Sequence, residues 1–193
     1  MQVYFVLTDQ IDLSLGPVGS GKSSLLCALL GELHCQKGKV SMRGTVGYCD
    51  QRSWIMNDTV EGNILLGLPY NEDKLNSAIH ASCLDEDLKV LSGGLKTQIG
   101  EKGVNLSGGQ KARVSLARAI YAEKDVYLLD DPLSAVDAHV GQFLFRETIC
   151  NILKSKTRIL VTHQMQYLPY CDQIVAFRDG TVYHLEHSIS ILC

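Results

Sequence analysis

No stretch of this 193-residue sequence approaches the roughly 18 consecutive apolar residues that suggest a membrane-crossing helix. A basic leader is missing too. The opening Met1-Gln2-Val3-Tyr4-Phe5-Val6-Leu7 is broken at once by Thr8-Asp9-Gln10, so it does not read as a signal peptide. No long basic run occurs and the formal net charge is -3, which excludes wrapping around a nucleic-acid backbone as an expected function. The seven cysteines, at 27, 35, 49, 83, 150, 171 and 193, form no C-x-x-C pair, and the six histidines stand at no metal-ligand spacing beside them. That pattern reads as reduced thiols, some of them small core residues, and not as a disulfide framework or a zinc site. Internal repeats and low-complexity linkers are also absent.

What is present suits one domain, or one domain with a lobe: 46% of the residues are hydrophobic, ample for a core. Short β-type runs alternate with longer helical ones, which predicts an α/β sheet covered by helices on both faces. Ile11 to Leu15 reads as a strand. Lys22 to Leu33 follows as a helix whose Leu25, Leu26, Leu29 and Leu30 face the core. Val40 to Arg43 and Val46 to Cys49 read as a strand pair with Gly44 between them. From about residue 52 to 122 the chain is mostly helical (Glu72 to Ser82, Glu86 to Leu91, Gly108 to Ala122). Strands resume at Val126–Asp130, Arg158–Thr162 and Ile174–Phe177, the last closed by a turn at Asp179-Gly180. A sheet core over about 1–51 and 123–193, with a helical lobe inserted at about 52–122, is the expected organisation.

Gly16-Pro17-Val18-Gly19-Ser20-Gly21-Lys22-Ser23-Ser24 fills every fixed position of G-x-x-x-x-G-K-[ST]. Glycines let the backbone curl so that successive N–H groups point inward at phosphate oxygens. The helix beginning near Lys22 adds the positive end of its dipole. Lys22 is expected to reach the β- and γ-phosphates, and the Ser23 hydroxyl to ligate Mg2+. The strand Val126-Tyr127-Leu128-Leu129-Asp130 ends in a carboxylate suited to hold the same ion through water. Alone, this motif says that a nucleoside triphosphate binds.

Leu106-Ser107-Gly108-Gly109-Gln110 comes next, with Ser107 a plausible N-cap and Gly108 and Gly109 leaving N–H groups open to an anion. This segment resembles the signature motif of ATP-binding cassette (ABC) proteins. Other elements of that family follow in its order: Gln51 after a strand, Ser134-Ala135-Val136-Asp137 after the acidic pair, and His163 at a strand end. The resemblance runs from about residue 11 to 183. It implies a P-loop NTPase core with a mostly parallel sheet, and a helical lobe carrying the signature. It further implies ATP and Mg2+ as ligands, with Ser23, Gln51 and Asp130 around the metal and Asp131, Gln51 and His163 at the reacting phosphate. The signature residues serve ATP bound by a second nucleotide-binding domain in a head-to-tail sandwich.

The stretches Gln51-Arg52-Ser53-Trp54-Ile55-Met56-Asn57-Asp58-Thr59, Asn63-Ile64-Leu65-Leu66-Gly67, Gly100-Glu101-Lys102-Gly103-Val104-Asn105 and Asp130 to His139 resemble subfamily C. That subfamily includes the multidrug-resistance-associated exporters, the sulfonylurea receptors and the cystic fibrosis chloride channel. The resemblance implies transmembrane domains contacted through coupling helices, at the cytoplasmic face of a membrane. Trp54 has two readings, a wall of the groove that receives a coupling helix or a buried anchor of the lobe.

Most ABC ATPases place Glu after the magnesium-binding Asp, where it polarises the attacking water. Here the position is Asp131, whose carboxylate is drawn back by roughly 1.5 Å, one carbon–carbon bond; a misplacement of about 1 Å can cost about a hundredfold in rate. An Asp there resembles the first nucleotide-binding domain of multidrug-resistance-associated proteins and implies weak turnover. The family also carries a strand between Leu15 and Gly16 that is missing here, and Tyr4 and Phe5 are the only aromatics available for the adenine. Asp12 and Ser14 make Ile11–Leu15 a poor fully buried strand. The N-terminal strands and C-terminal helices therefore read as truncated. Beside the exporter engine stand a nucleotide-sensing regulatory domain, a soluble DNA-repair ATPase and an inactive truncated product. The direct passage from Lys39 to Cys49 and the lack of a heptad array between Gln51 and Leu106 speak against the channel and the repair ATPase respectively.

Overall fold

The computed structural model describes residues 10–101 and 103–187; Tyr4 and Phe5 lie outside them. In chain order the core opens with β1 (Ile11–Leu15), α1 (Lys22–Leu29) and β2 (Val46–Cys49). The lobe contains β3 (Asp58–Thr59), α2 (Val60–Leu65), α3 (Glu72–Ala81), α4 (Asp85–Val90), β4 (Gln98–Ile99) and α5 (Gly108–Tyr121). The core resumes with β5 (Val126–Asp130), α6 (Ala138–Phe143), which runs on as a wider π-type helix Leu144–Ile152, then β6 (Thr157–Val161), β7 (Gln173–Arg178) and β8 (Thr181–His187).

The main sheet has the order β2-β5-β6-β1-β7-β8. All neighbours are parallel except the hairpin β7–β8. A small antiparallel pair, β3–β4, sits in the lobe. This is the α/β core with a helical lobe that the sequence predicts.

Strand parity sorts the side chains into two layers, because neighbouring residues of a strand point to opposite faces. Val126, Leu128, Ile159 and Val161 pack with Leu26 of α1. Cys49, Tyr127, Leu129 and Leu160 face the larger core, which runs on through Leu116 and Ile120 of α5 to Ile64 and Leu75 of the lobe. Parallel strands covered on both sides need apolar residues at nearly every position, and β5 and β6 supply them.

β1 takes the centre of the sheet, with β6 on one side and β7 on the other. Ile11–Leu15 is thus the central strand that leads into Gly16. Ile11 and Leu13 join the large core. Asp12 and Ser14 face the α1 layer and are 3% and 1% exposed, and neither carboxylate oxygen of Asp12, nor the Ser14 hydroxyl, has a hydrogen-bond partner. With Leu25, Leu29, Ile159 and Val175 they line a cavity of about 20 Å³, room for about one water. Burial, then the Asp172 carboxylate, pushes the Asp12 carboxyl up to about 7.

Two expectations shift. Val40–Arg43 forms no strand, and β2 pairs with β5 instead of a hairpin partner. Thr45 holds that entry through its N–H and hydroxyl, which both donate to Asp125 Oδ2, at 2.7 and 2.8 Å. α1 stops at Leu29, and Gly31 follows in a left-handed conformation at φ 79°, a common way for a helix to end.

Candidate nucleotide-binding site

The loop Gly16–Gly21 joins the C-terminal end of β1 to the N-terminus of α1, the usual place for a ligand in an open α/β sheet. A Cβ on Gly16 would lie 2.4 Å from the Phe177 carbonyl oxygen and 2.5 Å from Ser20 Oγ, so only glycine fits there. Lys22 is buried, and its ammonium donates to the carbonyls of Gly16 and Pro17 at 2.9 and 2.8 Å. Those bonds curl the loop around the lysine. Burial lowers the Lys22 pKa, while the Asp130 and Asp131 carboxylates oppose that fall. Gly180 N–H donates to the Ser20 carbonyl at 3.0 Å, bracing the loop from the β7–β8 turn. Asp179 and Gly180 in that turn both have positive φ, 48° and 74°.

Asp130 ends β5 on the same face as Val126 and Leu128, the α1 face, so its carboxylate meets the start of α1. It is 3% exposed and accepts a hydrogen bond from Ser23. Burial raises its pKa; the Ser23 bond lowers it, and the Asp50 and Asp131 charges raise it. A hydroxyl and a carboxylate converging from two elements form the oxygen donor set that a hard divalent cation prefers. Ser20 Oγ is a further buried polar atom without a hydrogen-bond partner. These residues fit Mg2+ and a polyphosphate.

Asp131 follows with its backbone left-handed at φ 47°. Its N–H donates to the Val161 carbonyl at 2.9 Å, and Ser134 Oγ donates to its carbonyl at 2.8 Å. Thr162 Oγ1 lies 3.4 Å from Asp131 Oδ1. Gln51 and His163 are exposed just beyond β2 and β6, on the same edge of the sheet as the loop. The sheet thus gathers Lys22, Ser23, Asp130, Asp131, Gln51 and His163 along one edge.

The second constellation opens α5. Ser107 caps it in a capping box: Gln110 N–H donates to Ser107 Oγ at 3.2 Å, and Ser107 N–H donates to Gln110 Oε1 at 2.9 Å. Leu106 is buried and anchors the entry. Gly109 lies against the segment Ser134–Asp137, where a Cβ would come within 2.8 Å of the Ala135 carbonyl oxygen. Asp137 caps α6 by accepting from the N–H groups of His139 and Val140, both at 3.0 Å.

Three relationships escape sequence reading. Asp87 of α4 accepts from Arg113 Nε and Nη2 at 2.8 and 2.9 Å and from Gln110 Nε2 at 3.1 Å. This fixes which way the Gln110 amide faces. Arg118 of α5 lies under Trp54 and donates to the Asn63 carbonyl at 2.8 Å. Trp54 is 47% exposed and shares with Ser53, Gly103, Asn105 and Lys111 an open groove of about 380 Å³. Trp54 is therefore half exposed on the wall of this groove and is not a fully buried anchor. Third, Asp50 falls in register with Asp130. No local sequence signal gives that register, because it rests on the pairing of β2 with β5.

A nucleoside-triphosphate-binding domain of the P-loop class is what this fold and this edge define. The chain belongs to the ABC transporter family, whose family model, described as ABC transporter, matches residues 9–134. It is 53% identical over 171 residues to "ABC transporter C family member 8" of Dictyostelium discoideum, covering 87% of this chain and 11% of that protein. It is 51% identical over 179 residues to "ATP-binding cassette sub-family C member 2" of Homo sapiens, covering 92% and 12%. "Multidrug resistance protein mrp-7" of Caenorhabditis elegans is 52% identical over 170 residues, covering 87% and 11%. The chain is thus a nucleotide-binding domain of subfamily C, spanning about a ninth of the length of these relatives.

Proposed function

We propose that this domain binds and hydrolyses ATP to power export by a multidrug-resistance-type ABC transporter, as the first of its two nucleotide-binding domains. The observation that carries the reading is the meeting of Lys22, Ser23 and Asp130 where β1 and β5 end beside α1. Lys22 and the loop amides hold the β- and γ-phosphates, and Ser23, Asp130 and Gln51 hold the magnesium, which supplies charge neutralisation when bound. Asp131 and His163 orient the attacking water, with Asp131 a carbon short and turnover correspondingly weak. Ser107 Oγ already accepts from Gln110 N–H, which leaves its own hydrogen for the γ-phosphate held by the second domain. Nucleotide-driven closure of that sandwich moves coupling helices seated near Trp54, at the cytoplasmic face of the membrane. A regulatory domain that senses ATP with little hydrolysis is the second reading, and Asp131 favours it.

Calorimetry with ATP and magnesium tests the binding on which both readings stand. The expected result is saturable heat that Lys22→Ala abolishes while its circular dichroism stays that of the parent. No heat from folded parent protein overturns both.

A further inference from the structure

The register of the β2–β5 pair, continued one residue, carries an inference that rests on the nucleotide reading and sharpens it. Cys49 stands opposite Leu129, so the next residues, Asp50 and Asp130, are abreast on neighbouring strands. Abreast residues point to the same face, and here that face is the α1 layer that holds Tyr48 and Leu128. Adjacent strands lie about 4.8 Å apart, so two carboxylates flank the point where Ser23 meets Asp130. Asp50 is half-buried, and its Oδ1 accepts a hydrogen bond from Arg52 N–H at 3.2 Å. Among neighbouring charges Asp50 acts on Asp130 more strongly than Asp131 does. The loop opposite keeps a buried polar atom unspent, Ser20 Oγ.

We propose that Asp50 is a specificity-determining residue of the nucleotide site, which makes triphosphate binding depend on a divalent cation. Two carboxylates, Asp130 and Asp131, act on the one ammonium, Lys22, whose donor hydrogens are already partly taken by Gly16 and Pro17, and Asp50 adds a third negative charge beside Asp130. A metal-free triphosphate brings about four more negative charges into that field and is repelled. With the cation present the sign reverses, because Asp50 then adds an oxygen and a charge beside the ion, directly or through its water. Its role is to separate the metal-bound from the metal-free nucleotide, which a neutral residue at this position does not do.

The test is calorimetric titration of the whole chain with ATP, once with magnesium and once with EDTA, for the parent, Asp50→Asn and Asp50→Glu. Asp50→Asn is expected to tighten metal-free binding about five- to tenfold and to raise the magnesium concentration for half-maximal binding by a similar factor. Asp50→Glu keeps the charge and stays within about twofold of the parent in both. Circular dichroism confirms that each variant is folded, and calcium or manganese in place of magnesium reports the change in cation preference. A with-to-without-metal ratio in Asp50→Asn within twofold of the parent overturns the proposal while leaving the nucleotide site standing. Absence of any heat from the parent in either buffer overturns the site itself, and the role of Asp50 with it.

Discussion

The guanidinium carbon of Arg118 stands 3.9 Å from the ring centroid of Trp54, with the arginine buried and the indole half exposed. Burial lowers the arginine's pKa, and the contacts it keeps are the Trp54 ring face, the Trp54 carbonyl and Asn63. Asn63 is fully buried and also holds Met56, whose N–H donates to Asn63 Oδ1 at 2.8 Å. One side chain thus ties α5 to α2 and to the loop after β2.

Arg118→Ala is expected to lose the cation–π contact and strand the Asn63 carbonyl, costing about 3 kcal/mol. The sequence has a single tryptophan, so intrinsic fluorescence reads Trp54 alone. Its emission should shift to the red and become more accessible to quencher in the variant. Unchanged emission would show that the arginine does not hold the ring.

A carboxyl buried at the sheet centre makes stability fall as pH rises. Asp12 titrates near pH 7 when folded, against an ordinary value of 3.8. Below about pH 4 both folded and unfolded chains hold the proton. Between about 4 and 7 only the folded chain does, so stability drops through that window, by up to roughly 4 kcal/mol, and the loss is complete above 7. Asp12→Val suits a parallel strand and removes the unpaired group. It should raise stability at pH 8 by about 2 kcal/mol and flatten the slope between about pH 4 and 7, read from urea unfolding. A slope as steep as the parent's would assign the titration to another group.

The pairing of Asp87 with Arg113, both side chains largely buried, governs the start of α5. Asp87→Ala leaves a charged guanidinium without its partner and releases the Gln110 amide, at about 3 kcal/mol. Hydrogen exchange at Ser107 N–H, which donates to Gln110 Oε1, should quicken in the variant. The double variant Asp87→Ala with Arg113→Ala is expected to be less destabilised than the sum of the two single changes, since each single change strands a charge. Strict additivity would mean that the two side chains do not work as a pair.

Asp131→Glu sets two effects against each other. The longer side chain should lift ATP turnover, in the presence of the second domain, about ten- to a hundredfold. The left-handed backbone at φ 47° suits Asp better than Glu, so unfolding should come a few degrees lower, for roughly 1 kcal/mol. Steady-state turnover and thermal unfolding together check both signs.

Features written as local patterns were readable in the sequence. The glycines and Lys22 of the phosphate loop, the Ser107 cap three residues before Gln110, and the hydrophobic run ending at Asp130 each express a geometry that few other residues permit. What escaped depends on which distant segments meet. Val40–Arg43 has strand-like composition, yet β2 finds its partner in β5, some 80 residues on. Asp87 and Arg113 are 26 residues apart, beyond any helix periodicity. Asp12 and Ser14 argue against a buried strand on propensity alone, and tertiary context overrides them: β1 keeps the ladders to β6 and β7 and bears two unsatisfied side chains in exchange.

The placement of β1 between β6 and β7 also orders events at the ribosome. β1, the earliest strand among the described residues, must wait for neighbours that end at Val161 and Arg178. Until that distal stretch emerges from the exit tunnel, the nascent chain has no sheet centre, and Gly180 cannot yet brace the loop at Ser20. Such distant closures slow folding, so nucleotide can template the emerging polypeptide only once β7 and the turn that follows it have been made.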